Sequence, residues 1–256
     1  MEGKMHYFFV HNQSLTPGSE VALLPEDHNH AYRVLRLKTG ETVALADGKG
    51  LSALGKVSLS NQAEVRVSLE RAFPPVKPLI DITLLQALAK GDKMDLIFRQ
   101  AVELGVSRLI AVETERTVPQ LDAKKAEKRL QRWKTIARAA AAQCRRPYLP
   151  LVEPQVRLCD FLGQAGDIPI IVPWESENSL PLTKYLRQPC PSGRAVFVLI
   201  GPEGGFTTAE IEQLEQGGAV TVSLGPRILR SETAAVTAIA LVQSAWGDLA
   251  AQGEPS

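Results

Sequence analysis

The sequence predicts two folded units, a small β-rich unit over residues 1–72 and a larger α/β unit over residues 79–256. Three observations lead there. Up to residue 72 the apolar residues come in short strand-like runs separated by turn signals. The stretch AFPPVKP then sets three prolines between Phe73 and Pro78, which halts regular structure and marks 73–78 as a linker. From Leu79 onward, apolar runs alternate with amphipathic helical segments, the rhythm of a mostly parallel sheet flanked by helices. A chain of 256 residues, 45% apolar and 22% charged, has the material for such cores and lacks the composition of disorder.

The first unit is predicted to hold strands at HYFFV, EVALL, TVALAD, ALGKVSL and AEVRVSLE, with turns at Thr16-Pro17-Gly18 and Asp47-Gly48. Between them PEDHNHAYRVLRLKTGE suits one short helix ending before a turn at Gly40, and it gathers Arg33, Arg36 and Lys38. A small β barrel with a basic helix suits RNA docking; an accessory domain with ordinary surface charge fits the same residues. In the second unit ITLLQAL is a strand, and DKMDLIFRQAVEL is an amphipathic helix closed by Gly105. SRLIAVE is a strand, and the basic run from Ala123 to Arg146 is a helix ending before Pro147. LVEPQV, IPIIVPWE and AVFVLI are further strands, with short helices through Phe161 and near Leu182 to Leu186.

Two junctions near the end resemble each other. AVFVLI and VTVSL are buried-strand runs, and each ends in a Gly-Pro pair, Gly201-Pro202 and Gly225-Pro226, followed by a loop and a helix. Loops at the carboxyl ends of neighbouring strands build one site in α/β sheets. GPEGG lacks the Lys-Ser/Thr of a phosphate loop and is not GxGxxG, yet Gly204 and Gly205 permit positive φ and close approach of a ligand. Thr207 or Thr208 caps the next helix, with Glu210 placed to complete a capping box. In LGPRILRSET, Arg227 and Arg230 flank the apolar Ile228 and Leu229, and Ser231 is the expected N-cap of a helix that is apolar on nearly all sides and so should be largely buried. Arg230 then faces the site, or pairs with Glu203 or Glu232; Glu232 and Thr233 also fit a plain role in the helix's first turn.

The net charge of +1 conceals an asymmetry. From Glu115 to Arg146 ten lysines and arginines, Arg116, Arg145 and Arg146 among them, face three acids, a local charge of +7. Such a surface attracts a phosphate backbone, and it is also the composition of a solvated helix face. No segment suggests a signal peptide or a membrane span. Cys144, Cys159 and Cys190 lie far apart without a CxxC, as expected of reduced thiols in the cytoplasm. His28 and His30 have no third ligand nearby, so no metal is expected.

IGPEGGFTTAEIE, SLGPRILRSETAAVTAIALVQ, DLIFRQAVELGVSRLIAVETERTV and the N-terminal YRVLRLKTGE together resemble the bacterial 16S ribosomal RNA uridine-N3 methyltransferases, knotted SPOUT-class enzymes, over almost the whole chain. Ala142, Gln100 and Val102 depart from the residues usual in that family. The resemblance implies a PUA-like RNA-binding barrel, a trefoil knot in the second unit, a homodimer, and action on the small ribosomal subunit. It implies S-adenosylmethionine held by three loops: Pro173, Trp174 and Glu175; Ile200, Gly201, Pro202, Glu203, Gly204 and Gly205; and the stretch with Leu224, Gly225, Ile228 and Leu229. RNA contacts are then expected from Arg33, Arg36, Lys38, Arg116, Arg145 and Arg146. Uridine N3 carries a proton at neutral pH, so Arg230 is the expected stabiliser of the developing uridine anion. Glu203, Glu232 or solvent would take the proton. A non-catalytic assembly factor on the same scaffold is the alternative; a nucleotide hydrolase lacks its phosphate-binding Lys and carboxylate pair.

Overall fold

The computed structural model describes residues 5–117, 123–163 and 165–249, and the backbone alone of residue 123. Asp122, counted in the basic window above, lies outside the described residues. The chain divides into two compact units. One runs up to Lys77 and includes Ala141–Leu149; the other comprises Pro78–Ala140 and the residues from Pro150 on.

The first unit carries a five-stranded sheet of β1 (His6–Phe9), β2 (Glu20–Ala22), β3 (Thr42–Ala46), β4 (Ser52–Ser60) and β5 (Val65–Phe73), in the order β1-β3-β4-β5-β2. Only β1 and β3 pair in parallel. Alternation places Val65, Val67 and Leu69 of β5 in the core with Val21, Val43, Leu45 and Val57, while Glu70 and Ser68 face out. Residues 141–149 join this unit through Leu149 N–H, which donates to Gly48 O at 3.0 Å, and Gly50 N–H, which donates to Pro147 O at 3.1 Å.

The helix expected across PEDHNHAYRVLRLKTGE is shorter and of mixed type. α1 covers Pro25–Asn29 with proline in its first turn, and a π-helical turn continues over His30–Val34. Leu35 N–H reaches back to His30 O at 2.8 Å. Ala31 is the buried residue of this turn, and Leu37 joins the core beyond it, its N–H donating to Ala31 O at 3.1 Å. The chain leaves through Arg36 in the left-handed region, at φ 54°.

The second unit is built on a six-stranded sheet in the order β11-β9-β10-β6-β7-β8, parallel at every pairing. Its strands are β6 (Asp81–Ala87), β7 (Arg108–Glu113), β8 (Leu151–Arg157), β9 (Ile170–Pro173), β10 (Ala195–Ile200) and β11 (Val220–Val222). β10, the apolar run AVFVLI, is buried on both faces, as a central parallel strand requires. The helices are α2 (Lys93–Glu103), α3 (Ala123–Gln143), α4 (Leu158–Leu162), α5 (Leu182–Tyr185), α6 (Thr208–Gln216) and α7 (Ser231–Trp246). α2 buries Met94, Ile97, Phe98, Ala101 and Val102 and ends at Gly105, whose φ of 84° suits the position after a helix. Val102, one of the residues that depart from the resembled family, is therefore a core residue.

Two expectations about α7 need correcting. It is buried along Ala235, Ala238, Ile239 and Val242, but Val236, Ala240 and Leu241 are only half-buried, because α2, α5 and β10 cover one side. Its N-cap is Arg230 and not Ser231, which is the first helical residue.

One glycine is demanded by packing. At Gly55, beside a register shift between β4 and β5, an added Cβ would lie 2.5 Å from Ser68 O and 2.7 Å from Val67 Cγ1. Gly55→Ala is expected to lower the stability of the first unit by about 1–3 kcal/mol. Chemical denaturation measures this, and an unchanged midpoint would show that the strand crossing relaxes freely.

Candidate functional site

β9, β10 and β11 are neighbours running the same way, so the loops that leave their carboxyl ends emerge together. They enclose a cavity of about 710 Å³, within the ~300–1,000 Å³ typical of small-molecule sites. Pro173, Trp174 and Glu175 line it from the first loop, Ile200 through Gly205 from the second, and Leu224, Gly225, Ile228 and Leu229 from the third. All the residues expected to hold a cofactor are thus brought together, with Arg230 at the end of the third loop. Glu232 is not among the lining residues; its side chain is 18% exposed.

The glycine loop is shaped from several sides. Gly205 has φ 68°, and its N–H donates to Pro202 O at 3.0 Å. The positive φ favours glycine there, and an added Cβ would meet Glu175 Oε1 at 2.3 Å, so that carboxylate would have to move. Thr207, of the two candidate threonines, caps α6: its Oγ1 accepts from Glu210 N–H at 3.2 Å, and Glu210 Oε2 accepts from Thr207 N–H at 2.9 Å. The other carboxylate oxygen of the buried Glu210 accepts from Glu115 N–H at 2.8 Å. That fastens the loop after β7, from which Arg116 Nη1 donates to Gly204 O. Arg116, expected among the RNA contacts, therefore braces the glycine loop.

The loop after β9 is organised by Glu177, which the sequence did not single out. Its Oε1 accepts from Ser179 N–H and Oγ–H, both at 2.6 Å, and from Leu180 N–H at 3.0 Å. The Ser179 hydroxyl, then these backbone donors, hold its carboxyl below the usual range. The acidic-serine run ESENS was the available signal.

In the third loop Ile228 is 87% exposed, an apolar side chain standing at the cavity rim. The Arg230 guanidinium is exposed and joins no ion pair or hydrogen bond among the described residues. The acids it was matched with are taken by Lys93, which lies 3.1 Å from Glu203 Oε1 and 3.8 Å from Glu232 Oε2 and itself lines the cavity. Lys93 was overlooked, although a lysine in the first turn of a helix opposes the helix dipole and so needs a nearby acid. Burial pushes the Glu203 carboxyl up, but its own N–H, the Lys93 ammonium and Lys90 N–H outweigh that and hold it below its ordinary value. Ser231, no longer a cap, donates through Oγ to Gly201 O at 2.8 Å.

The remaining RNA candidates lie in the first unit. Arg33, Arg36 and Lys38 share an open basin of about 590 Å³ with Tyr32, Leu37, Thr39 and Ser60. Arg145 is exposed at φ 59°, beside the half-buried Arg146. Among the described residues no group of three His, Cys, Asp or Glu could hold a metal, and no helix is long and apolar enough to cross a membrane. The three cysteines are free thiols.

Because the folded pKa of Glu203 is depressed, its contribution to stability is fully present above the unfolded value near 4.5 and is lost as pH falls through the lower folded value. Lys93→Met should raise the Glu203 midpoint in a carboxyl NMR titration; a midpoint that stays put would deny Lys93 this role.

Residues 75–243 match the family model described as an RNA methyltransferase domain, and residues 25–68 match the RNA methyltransferase PUA domain. The ribosomal RNA small subunit methyltransferase E of Bacillus subtilis (strain 168) is 30% identical over 251 residues, covering 93% of this chain and 96% of that protein. Its Mycobacterium bovis counterpart is 30% identical over 245 residues, covering 92% and 90%. Among solved structures, the small subunit methyltransferase E of Neisseria gonorrhoeae bound to S-adenosyl methionine superimposes with a TM-score of 0.86 at 30% identity, over 96% of this chain and all (100%) of that one. A Legionella pneumophila methyltransferase in complex with the cofactor SAM gives 0.82 at 30% identity, over 96% and 100%. With the match spanning both units and the loops of the cavity alike, the chain belongs to the RNA methyltransferase family of ribosomal RNA small subunit methyltransferase E.

Proposed function

We propose that this chain transfers a methyl group from S-adenosylmethionine to N3 of a uridine in 16S ribosomal RNA of the small subunit. The observation that carries this reading is the meeting of three strand-end loops in one cavity, with an unpaired arginine at its edge. The cavity suits this cofactor by its chemistry. Ile200, Leu224, Ile228 and Leu229 offer apolar surface to a flat base, and the glycines let backbone groups come close. No phosphate-gripping lysine loop is needed, since the cofactor carries no phosphate.

Bound there, S-adenosylmethionine supplies an electrophilic sulfonium methyl. The chain's own task is to prepare the nucleophile and to position it. As the proton leaves N3, negative charge spreads onto the uracil carbonyl oxygens; that charge is taken up when N3 receives the methyl, the methyl–sulfur bond breaking to leave the neutral thioether S-adenosylhomocysteine. The Arg230 guanidinium, free of the acids around it, donates to one of those oxygens and favours the anion. Glu203, held as a carboxylate by Lys93, is a weak base, and Glu232 lies outside the cavity lining, so the proton passes to solvent.

Arg33, Arg36, Lys38, Arg145 and Arg146 are read as the RNA-docking surface of the first unit, supported by the basic basin there. The target base must leave its stack to reach the cavity. The half-buried Val236, Ala240 and Leu241 on α7 favour a homodimer, and the family resemblance favours a trefoil knot and a cytoplasmic enzyme.

Three outcomes test this reading. Small subunits from cells lacking the activity, incubated with labelled S-adenosylmethionine, should gain N3-methyluridine by nucleoside mass analysis. Arg230→Ala should slow that transfer about 10²–10³-fold while cofactor affinity by calorimetry stays nearly intact; undiminished transfer would remove Arg230 from the chemistry. Lys38→Ala should weaken RNA binding and lower the slope of log affinity against log salt by about 1, whereas an unchanged slope would take Lys38 off the RNA path.

A further inference from the structure

We infer that Gln86 is a positioning residue of the active site, acting through Ser231 to set the spacing between the glycine loop and Arg230. Gln86 stands at the carboxyl end of β6, opposite Ile200 of β10, and is 0% exposed. Its Nε2 donates to Ser231 Oγ at 2.9 Å and to Ala87 O at 3.0 Å. Ser231 Oγ in turn donates to Gly201 O at 2.8 Å.

The direction of this relay follows from valence. Carbonyl oxygens only accept, so the amide nitrogen faces Ala87 O, and the single hydroxyl hydrogen of Ser231 goes to Gly201 O. The hydroxyl oxygen is then left to accept from Gln86. Gly201 begins the glycine loop, and Ser231 follows Arg230 directly, so three groups in a row join the floor of the cavity to the expected anion stabiliser.

Stability alone does not account for Gln86. Its Oε1 is buried and accepts no hydrogen bond from any described residue, a burden that an apolar side chain of similar size would not impose. What the glutamine supplies is the fixed orientation of the Ser231 hydroxyl. Positions held to a fraction of an ångström matter for transfer rate, because a displaced group can lose about a hundredfold.

The activity arm of the test rests on the proposed methyl transfer, and a second arm does not. Gln86→Leu, Ser231→Ala and the double variant are compared with the parent by thermal unfolding, by single-turnover methyl transfer to small subunits at saturating S-adenosylmethionine, and by hydrogen–deuterium exchange. Gln86→Leu is expected to melt no lower than the parent, to transfer methyl about ten- to a hundredfold more slowly, and to exchange about tenfold faster in peptides over residues 200–206 and 228–233. Ser231→Ala should do the same, and the double variant no more than either, as for two members of one relay. Parent-like rates and exchange in Gln86→Leu would overturn the inference, as would single losses that multiply in the double variant, or a rate loss explained by a lower melting temperature. If the parent itself transfers no methyl, the proposed function fails, and the exchange comparison alone decides the relay.

Discussion

The central constraint is the placement of β10 between β6 and β9, parallel to both. Six consecutive apolar residues leave that strand no wet face, so its backbone groups must be satisfied by two sheet neighbours. Once β10 is enclosed, β9 and β11 lie beyond it in the same direction, and the loops leaving all three strands appear at one edge. Charged groups are costly to bury among the apolar strand interiors, so they gather at the strand ends and on the outer surface. The cavity follows from the burial of β10 before any cofactor is considered.

Charge at that edge is arranged with economy. One ammonium, Lys93, serves both Glu203 and Glu232, leaving Arg230 without a carboxylate. An arginine neutralised by a close acid has little field left for a ligand, whereas one outside such a pair keeps its donors for incoming oxygen atoms. The first unit shows the same economy in another form, where Ala31 of the π-helical turn is buried while Arg33, Arg36 and Lys38 line the open basin.

The strands, the long helices and two of the three loops were legible in the sequence, because apolar period and Gly-Pro punctuation are local signals, whereas the loop at Pro173–Glu175 followed only from the family resemblance. Ile228 and the Gly204–Gly205 pair were found by the same means. What escaped depends on distant partners. Gln86 meets Ser231 across 145 positions, Lys93 meets Glu203 across 110, and Glu115 meets Glu210 across 95. No window along the chain contains both halves of such a pair. Ser231 misled for a related reason: serine before a helix suggests a cap, but its hydroxyl was already engaged by a strand and a loop far away in sequence. Arg116 looked like one more cation of a basic face, and only the fold shows its guanidinium against Gly204 O.

Glu210 also bears on how this scaffold can be taken apart. One of its oxygens closes the cap of its own helix, and the other holds Glu115 on a different crossover of the sheet. The glycine loop and α6 are therefore not a portable cassette. Moved into another parallel scaffold without the segment that follows β7, they would carry a half-satisfied carboxylate and a loop stripped of its arginine brace. A workable transplant must include Thr114–Thr117 together with Gly201–Gln216, two pieces of chain that behave as one part.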